Sequence, residues 1–265
     1  GFDFKLEDLP KPQQKIYAKL DASPYCSIKL WSLIDGDLRT LLASDKLSKK
    51  VFYDLYIQIV YIVYLINKDG YYHNDYHSGN IGFTRTSQRT INILGNEIPT
   101  HGYLMKAIDF GLVLHPKYLD SKKLVKKLQD TNDLFTVFNL LTFNMTPKKP
   151  LDKIKTKSND IPWYWHGRWT NDIEITKSEK DELAKYLPDR KLNADNTRFL
   201  QQRLFKLLHS DIWQKRELKD ETITPVEPPL MIPLEALLYL VKHIYEPEKV
   251  VKFLIENRDR LLADN

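Results

Sequence analysis

The densest run of apolar positions covers residues 51–66, VFYDLYIQIVYIVYLI, where apolar side chains fall on nearly every face of a 3.6-residue helix. Such a helix must be enclosed on most sides. Asp54, Gln58 and the short length of the run argue against a bilayer span. The spacing predicts one long helix over 48–67, with Ser48 able to cap its start and Asp69-Gly70 to end it. Upstream, the β-forming stretch YCSIKLWSLI (25–34) predicts a strand, Asp35-Gly36-Asp37 a turn, and 38–43 a short helix. Downstream, 71–72, 80–84, 89–94 and 103–108 read as short strands, with Gly95-Asn96 as the hairpin turn between the last two. Beyond Asp120 the periodicity becomes helical. Residues 121–129 form a basic amphipathic segment and 132–142 an apolar one; 178–187, 196–209, 233–245 and 247–262 predict four further helices. The Lys/Pro/Ser/Asn-rich stretch makes 146–160 the expected subdomain boundary.

Glycine sharpens this division. Seven of the nine glycines lie between Gly36 and Gly111, so turns and close backbone approaches are concentrated in the first half. The chain has 265 residues, 42% hydrophobic and 28% charged, which is enough for a real core and excludes wholesale disorder or a collagen-like fibre. The single cysteine, Cys26, excludes an internal disulfide and favours a reducing, cytoplasmic compartment. No basic stretch followed by an apolar run occurs at the N-terminus, so no secretory signal is expected. A net charge of +5 demands neither nucleic acid nor a membrane surface as partner.

Chemistry concentrates in Tyr72-His73-Asn74-Asp75-Tyr76-His77-Ser78-Gly79-Asn80-Ile81 and in Ala107-Ile108-Asp109-Phe110-Gly111-Leu112. The first contains H-x-D-x-x-x-x-N and the second D-F-G, each beside a strand. The set suits phosphoryl transfer, where the protein chiefly positions groups and balances charge. Asp109 and the amide oxygen of Asn80 are hard ligands of the kind Mg²⁺ prefers, with phosphate and water completing the shell. Asp75, five residues before Asn80, can accept the proton of an attacking hydroxyl. His73 would pack the loop against Phe110.

In these residues the chain resembles the protein-kinase-like superfamily over about 25–142. D-F-G and its strand–loop–strand setting look like protein kinases. The loop HNDYHSGNI, with His77, is similar to aminoglycoside phosphotransferases, choline kinases and atypical kinases. The stretch from Pro99 to Gly111 resembles serine/threonine kinases of large DNA viruses, for which host cytoplasm or virion is the implied location. The resemblance implies ATP and Mg²⁺ as cofactors, Asp75 as catalytic base, and Asn80 and Asp109 as metal ligands. It implies support from His73, Phe110, Gly111 and a buried Asp133 that anchors the catalytic loop from a central helix. Trp31, Ser32 and Leu33 would belong to the hinge against adenine, Asp37 would approach ribose or substrate, and His77 would contact phosphate or substrate.

The implied fold is α+β and mainly helical: a kinase-like C-terminal lobe with a small β-hairpin layer and little or no N-terminal lobe. On that reading 1–29 is a remnant of the N-terminal lobe, 30–145 the lobe core with its catalytic and metal loops, and 146–265 a helical extension of the same lobe. The pattern departs from the family in three ways. No glycine-rich loop precedes the hinge, and Lys5, Lys11, Lys15, Lys19 and Lys29 sit in no V-A-I-K-like strand; Glu7 is the candidate for the helix glutamate that pairs with such a lysine. The insert between Asn80 and Asp109 is long, and no A-P-E-like segment follows Gly111. The expected activity is transfer to serine or threonine of a protein substrate, with an N-terminal lobe segment or another chain completing the nucleotide site. A scaffold without a working nucleotide clamp and a small-molecule phosphotransferase are the alternatives. The aromatic cluster Trp163-Tyr164-Trp165-His166-Gly167-Arg168-Trp169 reads as core or interface filler, and the lysines at 122–127 and 148–157 as solvated faces. His101, His115, His166, His209 and His243 have no metal-ligand spacing.

Overall fold

Chain order places a two-residue strand, β1 (Gly36–Asp37), directly before a short helix, α1 (Leu38–Leu42), and the long helix α2 (Lys49–Lys68). The computed structural model describes residues 33–42, 47–119, 121–122, 125–126, 133–143, 173–218 and 232–263. Ile34–Asn265 form one compact unit and Gly1–Leu33 another. The expected strand at 25–34, apart from its last two residues, lies outside the described residues, as do the boundary at 146–160, the aromatic cluster and most of 121–129. Gly36 and Asp37, expected in a turn, form a strand instead. Gly36 lies against the Phe83 ring, where a Cβ would come within 2.9 Å, so only glycine brings this backbone onto its neighbour.

Helix α2 is the core element. Ser48 Oγ accepts the Val51 amide at 3.2 Å, and Gly70 at φ +81° follows the Asp69 cap. Phe52 through Val60 are all buried, so the all-round apolar pattern has its enclosure, formed by β5, α3 and α8 introduced below. Its two polar exceptions are both satisfied. Gln58 donates through Nε2 to the Tyr103 carbonyl at 3.3 Å and accepts the Met105 amide at 3.0 Å, completing a sheet edge. Asp54 takes up Arg258 and His101.

Among the described residues five strands form two small antiparallel sheets. β2 (Ile81–Arg85) lies between β1 and β5 (Tyr103–Ala107), with Ile81 opposite Ala107. β3 (Thr90–Ile93) and β4 (Asn96–Pro99) make a separate hairpin. Three expectations are corrected here. The hairpin partner of β3 is β4, which its Glu and Pro had hidden, and not β5. The turn residues are Leu94 and Gly95, both at positive φ (51° and 85°), the backbone that a two-residue hairpin of this twist requires. Tyr71-Tyr72 form no strand; Tyr72 makes one isolated bridge to Leu114.

The remaining α-helices among the described residues are α3 (Asp133–Phe143), α4 (Lys177–Leu183), α5 (Ala194–Leu208), α6 (Ser210–Leu218), α7 (Leu234–Lys242), α8 (Pro247–Glu256) and α9 (Arg258–Ala263). Thr176 and Glu179 form a reciprocal capping box at α4. Helix α6 was not expected, because its mixed charges leave no apolar stripe. The single helix expected over 247–262 breaks at Asn257, and the break brings Arg258 onto Asp54. Among the described residues no helix is long and apolar enough to cross a membrane. The chain is thus α+β with small antiparallel sheets beside a larger helical body.

Candidate active site

The loop between α2 and β2 is fixed from behind. Tyr72 exchanges two backbone hydrogen bonds with Leu114, at 2.8 and 2.9 Å. His73 donates from Nε2 to the Ile108 carbonyl at 2.9 Å; since a carbonyl only accepts, this sets the tautomer. Its ring stacks on Tyr76 (centroids 4.3 Å apart) and tilts against Phe110 (5.3 Å). Asp133, at the first turn of α3, accepts the His73 amide on Oδ2 at 2.9 Å and the Asn74 amide on Oδ1 at 2.8 Å. Asn67, at the end of α2, donates to the same Oδ2 at 2.9 Å and to the Tyr71 carbonyl at 3.0 Å. Asn74 sits at φ +68°, a left-handed conformation that asparagine tolerates and that the two anchored amides hold in place. Burial pushes the Asp133 carboxyl above its ordinary value, against the opposing pull of these N–H donors.

On the open side, Asn80 Nδ2 donates to both the backbone carbonyl and the Oδ2 of Asp75, each at 3.0 Å. Both bonds use the amide nitrogen, which leaves Oδ1 as the side chain's oxygen for a cation. The Asn80 carbonyl accepts the Ile108 amide at 3.0 Å, continuing the β2–β5 ladder. Asn80 therefore stands at the start of β2 opposite the residue that precedes Asp109. Asp109 has φ +59° and ψ +68°, and its carboxylate accepts the Gly111 amide at 3.3 Å at the head of a 3₁₀ turn, Phe110–Leu112. His77 accepts the Gly79 amide on Nδ1 at 3.1 Å and turns Nε2 to within 3.8 Å of Asp75 Oδ2. The side chains of Asp75 and His77 are 36% and 54% exposed.

Of the other expected residues some border this cluster and some lie outside the described residues. Trp31 and Ser32 belong to the latter, and Leu33 is exposed. Asp37 caps α1, its Oδ1 accepting both the amide and the hydroxyl of Thr40 at 2.7 Å. Partial burial pushes its carboxyl upward, but the Thr40 bonds and the Arg39 charge hold it below its ordinary value. Phe110 is 41% exposed and borders an apolar groove with Leu65, Tyr71 and Val113.

Among the described residues no group of three or more His, Cys, Asp or Glu side chains converges as a metal cage. The amide oxygen of Asn80 and the carboxylate of Asp109 are oxygen donors of the type that Mg²⁺ takes from a protein, with phosphate and water supplying the rest.

No family model matches this chain, and neither does any curated protein or solved structure. The kinase-like resemblance therefore rests on the motif residues of the sequence alone.

Two supporting residues escaped the sequence reading. Asn67 joins α2 to Asp133 across 66 positions, and no local pattern marks it. His101 binds Asp54 at 2.7 Å beside Arg258, a structural contact that its position in the sequence does not mark.

Proposed function

We propose that this chain transfers the γ-phosphoryl group of ATP, with Mg²⁺, to the hydroxyl of serine or threonine in a protein. One observation carries the reading: the amide nitrogen of Asn80 is bound to Asp75, while the Asn80 backbone pairs with the residue before Asp109. The residues Asp75, Asn80 and Asp109 are thereby carried at or beside the ends of two neighbouring strands. In this reading Asp75 takes the hydroxyl proton as the new O–P bond forms and the bond to ADP breaks. Asn80 orients the Asp75 carboxylate, and Asp109 with Asn80 Oδ1 would hold Mg²⁺, which supplies charge neutralisation at the phosphate oxygens. Asp133, Asn67 and His73 keep the loop from relaxing. The exposure of Asp75 favours a protein acceptor over a small molecule enclosed in a pocket.

The test is transfer of labelled γ-phosphate to generic protein acceptors, with Asp75→Asn and Asp109→Asn as partners. Each substitution is expected to cut transfer by roughly 10²–10⁴-fold without unfolding the chain. Mg-ATP is expected to raise the melting temperature of the parent chain by mass action, and less so that of Asp109→Asn. Transfer that survives Asp109→Asn unchanged overturns the metal assignment. A parent chain that neither transfers phosphate nor gains stability from millimolar Mg-ATP overturns the enzyme.

A further inference from the structure

Strand β1 pairs antiparallel with β2, Asp37 lying opposite Gly82, so the chain beyond Asp37 runs back towards the loop that precedes β2. Two buried leucines, Leu38 and Leu41, seat α1 there, and the Arg39 amide donates to the Ser78 carbonyl at 3.3 Å. The Arg39 side chain then lies over Gly79. A Cβ built on Gly79 would come within 3.0 Å of Arg39 Nη2 and 3.1 Å of both Nδ1 and Cε1 of His77. The guanidinium and the imidazole are therefore neighbours above one glycine, whose missing side chain leaves room for both. His77 Nδ1 accepts the Gly79 amide, so the ring proton is on Nε2, the atom 3.8 Å from Asp75 Oδ2. Asp75 thus has His77 beside it, and His77 has Arg39. The Arg39 residue is exposed, and among the described residues no carboxylate lies within ion-pair distance of its guanidinium. Its charge reaches Asp37, but Asp37 Oδ1 is bound to the amide and the hydroxyl of Thr40. Asp35 accepts the Arg85 amide at 2.6 Å, and Asp75 the Asn80 side chain at 3.0 Å.

We propose that Arg39, seated beside His77, selects protein acceptors that carry a glutamate or aspartate next to the serine or threonine receiving the phosphate. This rests on the phosphotransfer reading above and names the acceptor class of that same site. A guanidinium presents paired N–H groups that match the two oxygens of a carboxylate, and it stays charged at any working pH. An acceptor whose hydroxyl is held by Asp75 brings its adjoining side chains against the same loop, where Arg39 and the Nε2–H of His77 are the donors. Nucleotide phosphate, the other anion of the reaction, is assigned to Asp109 and the amide oxygen of Asn80 through Mg²⁺. Arg39 therefore takes no part in the bond-making step: it decides which hydroxyl arrives at Asp75.

The test makes two measurements on the whole chain at low salt. One is transfer of labelled γ-phosphate to a peptide with glutamates on both sides of a central serine, against the same peptide with glutamines or lysines there. The other is fluorescence-polarisation binding of the same three peptides with alanine in place of the serine, which needs no turnover. The glutamate peptide is expected to lead the glutamine peptide by roughly fivefold in kcat/KM and in affinity, the worth of one exposed charge pair. Arg39→Gln should bring both ratios close to one, Arg39→Lys should keep part of the preference, and Arg39→Glu should turn it towards the lysine peptide. The KM for ATP should be the same in all of them, and Lys180→Gln, an exposed lysine of α4, should leave the ratios unchanged. Equal binding of the glutamate and glutamine peptides, or a glutamate preference that survives Arg39→Gln, overturns the proposal. A parent chain that prefers the lysine peptide overturns it too, by giving control of this face to Asp35, Asp37 and Asp75. A raised KM for ATP in Arg39→Gln with the peptide ratios unchanged overturns it by assigning the guanidinium to the nucleotide. Arg39-dependent binding of the glutamate peptide without any transfer would sink the phosphotransfer reading and leave the acidic-peptide site standing, whereas equal transfer to all three peptides does the reverse.

Discussion

The carboxylate of Asp133 holds the backbone amide of His73, 60 residues earlier in the chain, at 2.9 Å. One buried side chain thus sets the position of the loop that presents Asp75 and Asn80. Asp133→Ala would strand the His73 and Asn74 amides and the Asn67 amide group together. A loss of roughly 3 kcal/mol in denaturant unfolding is expected. Asp133→Asn should rescue little, since its NH₂ would face one of the backbone N–H groups. Hydrogen exchange at His73 and Asn74 should accelerate in both variants, and unchanged exchange would contradict the anchoring role.

Asp54 is fully buried and accepts Arg258 Nε at 2.5 Å and Nη2 at 2.7 Å, as well as His101 at 2.7 Å. Removing one partner leaves an uncompensated buried charge. Asp54→Ala and Arg258→Ala are each expected to cost about 3–5 kcal/mol, with the double substitution costing clearly less than their sum. Additive costs in a double-mutant cycle would mean that the pair does not act as a unit.

Two glycines at nearly equal φ separate backbone strain from steric conflict. Gly95 (φ +85°) has nothing within 4 Å of a built Cβ, whereas at Gly70 (φ +81°) that atom would lie 2.8 Å from His115 Nε2. Gly95→Ala should cost about 1 kcal/mol, the strain of the left-handed backbone alone. Gly70→Ala should cost more, by whatever it takes to displace His115. Equal costs measured by chemical denaturation would show that His115 yields freely.

Glu179 is held down to about 2 by the Arg216 guanidinium, despite some burial and with help from Thr176. A carboxyl depressed in the folded state contributes stability above its ordinary value of 4.5 and loses it as pH falls towards 2. The melting temperatures of the parent chain and Arg216→Ala should therefore differ at neutral pH and converge across that acidic window. A gap independent of pH would assign the effect of Arg216 to packing on Phe205, whose ring centre lies 5.1 Å away.

Local sequence determined those features whose causes are local. The apolar run at 51–66 required an enclosed helix, Ser48 lay one residue before it, and Gly70 stood where the chain had to reverse. The order of His73, Asp75, Asn80 and Asp109 could be read directly, because H-x-D-x-x-x-x-N and D-F-G are each contiguous patterns in the chain. Tertiary structure decided the rest. That β5 pairs with β2, while β3 turns back on a strand containing Glu97 and Pro99, follows from which edge α2 covers and where Gln58 meets β5. The Asn67–Asp133 and Asp54–Arg258 contacts span 66 and 204 positions, and hydrogen bonds over such distances leave no periodicity to read. Their partners are chosen by the packing of helices around α2, which exists only once the chain has folded.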